Sequence, residues 1–361
     1  MRTQRSVAGR RTPGHARWSA PAPLLKHEIL RLLRSSTTGY LSGSDLAARL
    51  KVSRTAVWKH VRALAQEGYG IEAVPSQGYR LTALPDIICM DDLQGRLATK
   101  VIGRTVRYHA EVPSTNTLAM ELAQQGAAEG TVVVAEQQTG GKGRLGRTWI
   151  SPSGNLYLSA ILRPAIAVQK APLVTLMGAV AVAFAVRERQ GLSAGIKWPN
   201  DIMIAGRKFC GLLTEMSSEP DRIRHIVLGI GVNVNRDLHE LPPEVRRRST
   251  SLAEESGGPV DRTRLLGDVL EQLERWYDLF LRREGSVIDA WRELNVTTGQ
   301  SVTVSGREGT VEGMALDVDR EGRLIIQRSD GTMHTVASGD VTISKDSAGG
   351  RGPGTGRPSG H

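Results

Sequence analysis

The chain has 361 residues, 40% of them hydrophobic and 23% charged, which are the proportions of a soluble globular protein of two or three domains and exclude wholesale disorder. Its two cysteines, Cys89 and Cys210, lie far apart in sequence and offer neither a disulfide framework nor a metal-ligand pair, which favours a reducing, cytoplasmic setting. The net charge of +10 is localised: residues 1–82 hold 14 Lys/Arg against 4 Asp/Glu, and the remaining 279 residues hold 33 of each, so one region is built to meet a polyanion and the rest is not.

Residues 1–22 contain five Arg, no acid and no apolar core, which excludes a secretory signal and reads as a disordered basic tail. Leu24–Leu33 predicts a short amphipathic helix. Ser44-Asp45 predicts the cap of a second, Leu46–Leu50, and Ser53 that of a third, running to about Glu67 and ended by Gly68. In the third helix Val57, Val61 and Leu64 recur on one face, while Arg54, Thr55, Lys59 and Arg62 occupy the other. Ile71–Val74 and Tyr79–Leu81 around Pro75-Ser76-Gln77-Gly78 predict a hairpin. Helix, helix, basic helix and hairpin in that order describe a winged helix-turn-helix over residues 23–82, with Ser53, Arg54, Thr55, Lys59 and Arg62 as the DNA-facing set.

From residue 83 to 294 the pattern is of strands with irregularly inserted helices, an α+β or mixed-sheet α/β domain. Strands are predicted at Val132–Ala135, Leu156–Leu162, Ile196, Ile202–Ile204, Leu212-Leu213 and His225–Val234. Helices are predicted at Thr117–Gln125, Ala171–Arg189, Thr263–Leu281 and Val287–Leu294. The longest nearly apolar run, Leu173–Val186, is 14 residues, short of the roughly 20 a membrane span needs, so it reads as a buried helix and no membrane partner is expected. Four short strands between Ser301 and Val336, separated by Gly-containing turns, predict a small β-barrel over 295–345. Asp346–His361 is Gly/Ser/Pro-rich and reads as a flexible tail.

Three motifs carry the chemistry. Gly141-Lys142-Gly143-Arg144-Leu145-Gly146-Arg147 matches GxGxxG, but a strand and turn are expected after it rather than a helix, and no acid stands near 165, so a dinucleotide fold fails. A phosphate loop fails as well, because Lys142 is followed by Gly rather than Ser or Thr. What remains is a glycine loop whose cations suit a phosphate and a carboxylate side by side, or a merely basic surface loop. Lys197-Trp198-Pro199-Asn200-Asp201 sets a lysine beside apolar rings, which strengthens its pull on an anion; it is equally good turn chemistry. Ser114-Thr115-Asn116 at a helix start is either a cap or a polar head-group site.

Together these motifs resemble the biotin–protein ligases, specifically the bifunctional kind that also represses the biotin operon. Val52–His60, Arg207–Glu215, Gly229–Asn235 and the C-terminal strands are similar to that family as well. The resemblance implies a winged helix, a biotin/lipoate-ligase catalytic domain and an SH3-like C-terminal barrel. It implies formation of biotinyl-5′-AMP from biotin and ATP with Mg²⁺, transfer of biotin to a lysine of a biotin carboxyl carrier domain of acyl-CoA carboxylases, and operator binding by an adenylate-bound homodimer. By resemblance, Ser114, Thr115, Asn116, Gln138, Lys142, Arg144, Lys197 and Gly211 would contact biotin. Gly141, Gly143, Arg144, Arg147, Trp149 and Asn233 would contact the adenylate or ATP, and Lys197 and Arg144 would be catalytic. No metal ligand is assigned. The usual loop reads GRGRxGR, and Lys142 in place of the first arginine keeps the charge but loses the bidentate fork. Two alternatives stand beside this reading: a biotin-sensing regulator with a weakened ligase body, and a ligase with a vestigial winged helix. A lipoate ligase shares the catalytic fold, but the loop, the Lys-Trp-Pro-Asn-Asp run and the C-terminal strands favour biotin.

Overall fold

The computed structural model describes residues 22–344 except 37–38, 84–85 and 307–308. The basic and Gly-rich tails expected at 1–22 and 346–361 lie outside the described residues apart from Ala22, which opens the first helix. The chain divides between residues 85 and 86 into two compact units.

The first unit holds α1 (Ala22–Ser35), α2 (Gly43–Leu50), α3 (Arg54–Gln66), β1 (Gly70–Val74) and β2 (Gly78–Ala83). Ile29, Leu33, Leu46, Val57, Val61 and Leu64 form its core, so the periodicity of α3 does bury the face expected. Ser53 caps α3, accepting from the Ala56 amide at 3.1 Å. The cap of α2 is Ser42 rather than Ser44: its hydroxyl accepts from the Ser44 and Asp45 amides at 3.2 and 3.1 Å. Two nearby serines carry the same signal, and only the one in extended conformation can reach those donors. β1 and β2 pair antiparallel as the wing.

The second unit begins with α4 (Met90–Arg96), then β3 (Val106–Val112), α5 (Thr115–Gln124), β4 (Val132–Gln138), β5 (Leu156–Leu162), α6 (Ala171–Gln190), β6 (Gly195–Lys197), β7 (Asp201–Ile204), β8 (Arg207–Ser218) and β9 (Ile223–Val232). There follow α7 (Pro243–Arg246), α8 (Leu252–Ser256), α9 (Arg262–Arg282) and α10 (Gly285–Leu294), and then β10 (Ser301–Gly306), β11 (Gly309–Val318), β12 (Leu324–Gln327), β13 (Met333–Val336) and β14 (Asp340–Ile343).

β3-β4-β5-β9-β8-β7-β6 form one seven-stranded sheet in which β3–β4 is parallel and the other pairings are antiparallel, the mixed sheet expected. Both faces are covered. On β4 the period-two alternation sends Val132 and Val134 into the main core with α6 and α9, and Val133 to the opposite face, where Ala119 and Ala123 of α5 pack. The apolar run of α6 is buried along its length, and Phe184 stacks on Trp276 of α9 at 5.2 Å between ring centres. The last five strands make an antiparallel sheet, ordered β13-β12-β11-β10-β14, whose Val302, Val304, Leu324 and Ile326 join the same core as the seven-stranded sheet. The strands of 295–345 thus share a hydrophobic core with the region 83–294, inside one compact unit.

Five elements, α4, β3, α7, α8 and β14, carried no sequence signal that singled them out. Of the strand and turn expected over Thr148–Gly154, the strand does not form; Thr148 and Ser151 instead make isolated bridges to Lys142 and Gln138, because the chain here doubles back on the glycine loop.

Candidate active site and nucleic-acid interface

The C-terminal end of β4 delivers the glycine loop. Gly141 backs directly onto the returning chain: a Cβ there would lie 2.3 Å from the Trp149 carbonyl oxygen and 2.5 Å from Ser151 Oγ, so only glycine fits. The loop closes on itself, with the Gly143 amide donating to the Arg147 carbonyl at 2.7 Å and the Arg147 amide to that of Arg144 at 3.1 Å. The Gly143 amide is thus engaged within the loop rather than presented to a ligand. Leu145 at φ 54° and Gly146 at φ 75° make the turn, which leaves the Leu145 side chain in solvent.

This loop forms one wall of a cleft. Of the residues expected to contact ligand, Ser114, Thr115, Asn116, Gln138, Lys142, Gly143, Arg144, Arg147, Trp149 and Gly211 all line it. Four cations (Lys142, Arg144, Arg147 and Lys208) face two carboxylates, Asp201 and Asp340, which leaves a net positive cavity.

Its polar side is built at the start of α5. Ser114 is the N-cap residue but makes no side-chain cap hydrogen bond, so capping does not account for it. Gln138 Oε1 accepts from the Thr115 amide at 2.8 Å and the Thr115 hydroxyl at 3.2 Å, while its Nε2 donates to Ser151 Oγ at 2.8 Å. Asn116 is an internal strut. Its Nδ2 donates to the Leu213 carbonyl at 3.2 Å and to Glu215 at 2.8 Å, and its Oδ1 accepts from Ser159 at 2.7 Å. Lys142 reaches the same Glu215 at 4.0 Å.

The floor is glycine by necessity. A Cβ on Gly229 would lie 2.0 Å from Asn116 Oδ1, one on Gly231 2.6 Å from Trp149 Nε1, and one on Gly211 3.1 Å from both Lys208 and the Trp149 ring. Trp149 therefore lies flat on β8 and β9, with the Lys208 ammonium 5.0 Å from its ring centre. Lys208 is also paired with Asp201 at 2.6 Å.

Arg144 donates to Asn200 Oδ1 and to the Gly339 carbonyl, both at 3.2 Å, and Arg147 is ion-paired with Asp340. Burial holds the Arg144 guanidinium below its ordinary pKa. Lys197-Trp198-Pro199-Asn200-Asp201 is both turn and site: it joins β6 to β7, pairing Lys197 with Asp201, and Trp198 is buried with its Nε1 donating to the Gly322 carbonyl at 3.0 Å. Lys197 does not itself line the cleft, though its register partner does. Burial pushes its pKa below the usual lysine value; Lys208 and Arg248 push the same way, and Asp201 opposes them.

Asn233 is not brought to the cleft. Its amide donates to the Phe209 carbonyl at 2.7 Å and its Nδ2 to the Thr250 carbonyl at 3.1 Å, which makes it a buried tie between β9 and the following loop. Lys208, Asp201, Asn200, Gly229, Gly231 and Asp340 also line the cleft, and none of them was among the expected ligand contacts. The first five fall inside segments already singled out; Asp340 carried no signal.

On the first unit, Arg54 and Thr55 line a groove with Trp58, Ser42 and the wing residues Ala73–Tyr79. Lys59 and Arg62 are exposed on the same helix outside that groove, and Arg62 lies 5.4 Å above the ring of Trp58, which is itself 47% exposed. Ser53 is engaged as the helix cap.

Residues 26–80 match a helix-turn-helix domain family, 108–233 the biotin/lipoate A/B protein ligase family and 297–343 the biotin protein ligase C-terminal domain. The chain is 38% identical over 321 residues to the bifunctional ligase/repressor BirA of Bacillus subtilis, covering 88% of this chain and 98% of that one. It is 31% identical over 239 residues to the biotin–[acetyl-CoA-carboxylase] ligase of Mycobacterium tuberculosis, 64% of this chain and 86% of that one. The biotin protein ligase of Aquifex aeolicus, solved in complex with biotin and ATP, superposes with a TM-score of 0.58 at 28% identity over 67% of this chain and 99% of that one.

Proposed function

The chain belongs to the biotin protein ligases, in their bifunctional ligase/repressor branch, and we propose that the cleft between the glycine loop and the β8–β9 floor is where it adenylates biotin and passes it on. In the first step a biotin carboxylate oxygen attacks the α-phosphorus of ATP and pyrophosphate leaves. In the second, the amine of a carrier-domain lysine attacks the acyl carbon; the amide bond forms, the bond to AMP breaks, AMP leaves with the electron pair and the amine loses its proton.

The observation that carries this reading is the convergence of four cations with a constellation of small polar groups in one cleft. Ser114, Thr115 and Gln138 offer the paired donors and acceptors that a ureido ring requires, with Asn116 holding them in place. Gly211 supplies room. Lys142, Arg144 and Arg147 hold the carboxylate and phosphates. Trp149 presents an indole on which an adenine can stack. Lys197 and Arg144, both partly desolvated, stabilise the charge that builds on the α-phosphate; preorganised cations in a dry site supply most of the rate enhancement in such reactions.

Among the described residues no three His, Cys, Asp or Glu cluster as a metal site, and the cleft carboxylates Asp201 and Asp340 are already paired with Lys208 and Arg147. Mg²⁺ fits this site as the ATP complex, held by phosphate oxygens.

The first unit supplies the repressor half, with Arg54, Thr55, Lys59 and Arg62 of α3 entering the major groove of operator DNA. In this reading the adenylate is the co-repressor, the DNA-bound form is a homodimer on a two-fold operator, and the protein works in the cytoplasm. Biotin-dependent exchange of labelled pyrophosphate into ATP tests the catalytic half. Exchange that requires biotin supports it, and exchange equal to the biotin-free blank contradicts it.

A further inference from the structure

Ser151 stands outside the lining of the cleft and is only 5% exposed, yet it grips the polar end of the site through two of its groups. Its carbonyl accepts from the Gln138 amide at 3.0 Å. Its hydroxyl accepts from Gln138 Nε2 and donates to the Trp149 carbonyl, each at 2.8 Å. The segment that carries it is tied to β5: the Tyr157 hydroxyl donates to the Pro152 carbonyl at 2.8 Å and accepts from Asn155 Nδ2 at 3.0 Å. A Cβ on Gly141 would stand 2.5 Å from Ser151 Oγ and 3.1 Å from Gln138 Nε2, so the glycine that admits the returning chain also leaves room for this bond.

The direction of each bond in this chain is fixed from its two ends. The Thr115 amide can only donate, so the Gln138 atom facing it at 2.8 Å is the oxygen. The nitrogen therefore faces Ser151, whose own hydrogen goes to the Trp149 carbonyl, a group that can only accept. Of the two hydrogens on Nε2 one is spent on Ser151, and the other is left for a ligand. A glutamine carboxamide sits at the end of a string of rotatable bonds, so a single contact does not hold it still. Thr115 anchors the oxygen end alone, and the amide plane can swing about that contact. Ser151 anchors the nitrogen end, and with both ends held the remaining hydrogen keeps one direction.

We propose that Ser151 is the positioning residue of the head-group site: it never meets the ligand, but it aims the uncommitted hydrogen of Gln138 at an acceptor on the ureido ring. The proposal rests on the ligase reading above and adds to it the residue that fixes how Gln138 meets biotin.

Ser151→Ala and Ser151→Cys test it in the full-length protein by biotin-dependent pyrophosphate exchange; a thiol is the weaker hydrogen-bonding partner, so the second variant keeps part of the anchor. Loss of this bond should raise the KM for biotin about tenfold in Ser151→Ala and by less in Ser151→Cys. Trp149 keeps its amide bond to the Gly141 carbonyl at 2.9 Å and the seat of its ring on Gly211 and Gly231. The kcat and the KM for ATP should therefore stay within about twofold of wild type. Each substitution is repeated on a Gln138→Ala background, where Ser151 has no carboxamide to position and should add no further rise in the biotin KM. An unchanged biotin KM in Ser151→Ala overturns the proposal. So does a further rise of the same size on the Gln138→Ala background, or a parallel rise in the KM for ATP, either of which would make Ser151 a packing residue alone. Should Ser151→Ala fail to fold, Ser151→Cys carries the same comparison. Absence of exchange in the wild type would instead overturn the underlying ligase reading.

Discussion

The guanidinium of Arg147, on the glycine loop, is ion-paired with the carboxylate of Asp340, 193 residues further along the chain at the start of β14. Next to it, Arg144 donates to the carbonyl of Gly339. The C-terminal sheet therefore holds both arginines of the loop, and any ligand that claims them competes with these contacts. Arg147 is two-thirds exposed, so its pair is worth about 0.5–1 kcal/mol. Asp340→Ala should change the KM for ATP about two- to fivefold, without a comparable change in the KM for the carrier, and should speed proteolytic cleavage of the loop in the ligand-free protein. Steady-state kinetics and timed proteolysis check both.

Lys197→Ala should slow biotin adenylation about 10²–10³-fold, the ordinary cost of about 3–4 kcal/mol for losing one preorganised charge contact to a transition state. Pre-steady-state formation of biotinyl-5′-AMP is the readout. Undiminished turnover would remove Lys197 from the mechanism, an outcome with real content because its side chain stands outside the lining of the cleft.

Burial, with help from Lys208 and Arg248, holds the Lys197 pKa below the ordinary lysine value. The useful form is the cation, present below that pKa, so adenylation should be lost as pH rises through a value lower than that of a free lysine. Replacing Arg248 by Gln removes one of the charges that depress it, and the alkaline limb of kcat/KM for biotin should move to higher pH. Asp201→Asn removes an opposing charge and should move it lower. Shifts of opposite sign would contradict the electrostatic account.

Gly229→Ala places a methyl group 2.0 Å from Asn116 Oδ1, and Asn116 ties α5 to β5 and β8. Yielding breaks buried hydrogen bonds, at a cost of about 2–4 kcal/mol. Denaturant unfolding should show that loss, and the KM for biotin should rise with it as Thr115 and Gln138 lose their support.

On the first unit, Lys59→Ala should weaken binding to operator and to random DNA alike, lowering the slope of log K against log salt by about one. Arg54→Ala, in the groove beside the wing, should narrow the gap between operator and random DNA instead. Equilibrium titrations at several salt concentrations separate the two effects.

How much of this could be read from sequence follows the range of the interactions. The winged helix was legible because its signals are local: caps, a 3.6-residue period and a turn between short strands. The glycine loop and the Lys-Trp-Pro-Asn-Asp turn were legible because each keeps its chemistry within a few residues. Asp340 was not, since nothing in Ser338-Gly339-Asp340 distinguishes it from any loop before a strand; its role exists only because β14 pairs with β10 and sets it against Arg147. Asn233 erred in the opposite direction. An asparagine in a Gly-rich run suggests a ligand contact, but its amide is consumed by the Thr250 carbonyl. Lys208 lay inside a recognised segment, yet only the ring of Trp149 beneath it and Asp201 beside it show that it belongs to the cleft.

The central claim, that this cleft activates biotin and delivers it to a protein, is tested most directly by incubating the full chain with biotin, MgATP and a biotin carboxyl carrier domain, and following the carrier by intact-mass spectrometry. The expected result is addition of a single biotinyl group to one carrier lysine, with AMP and pyrophosphate released in equal amounts. A folded protein that leaves the carrier unmodified while still binding biotin would contradict it, and would leave a biotin sensor in place of a ligase.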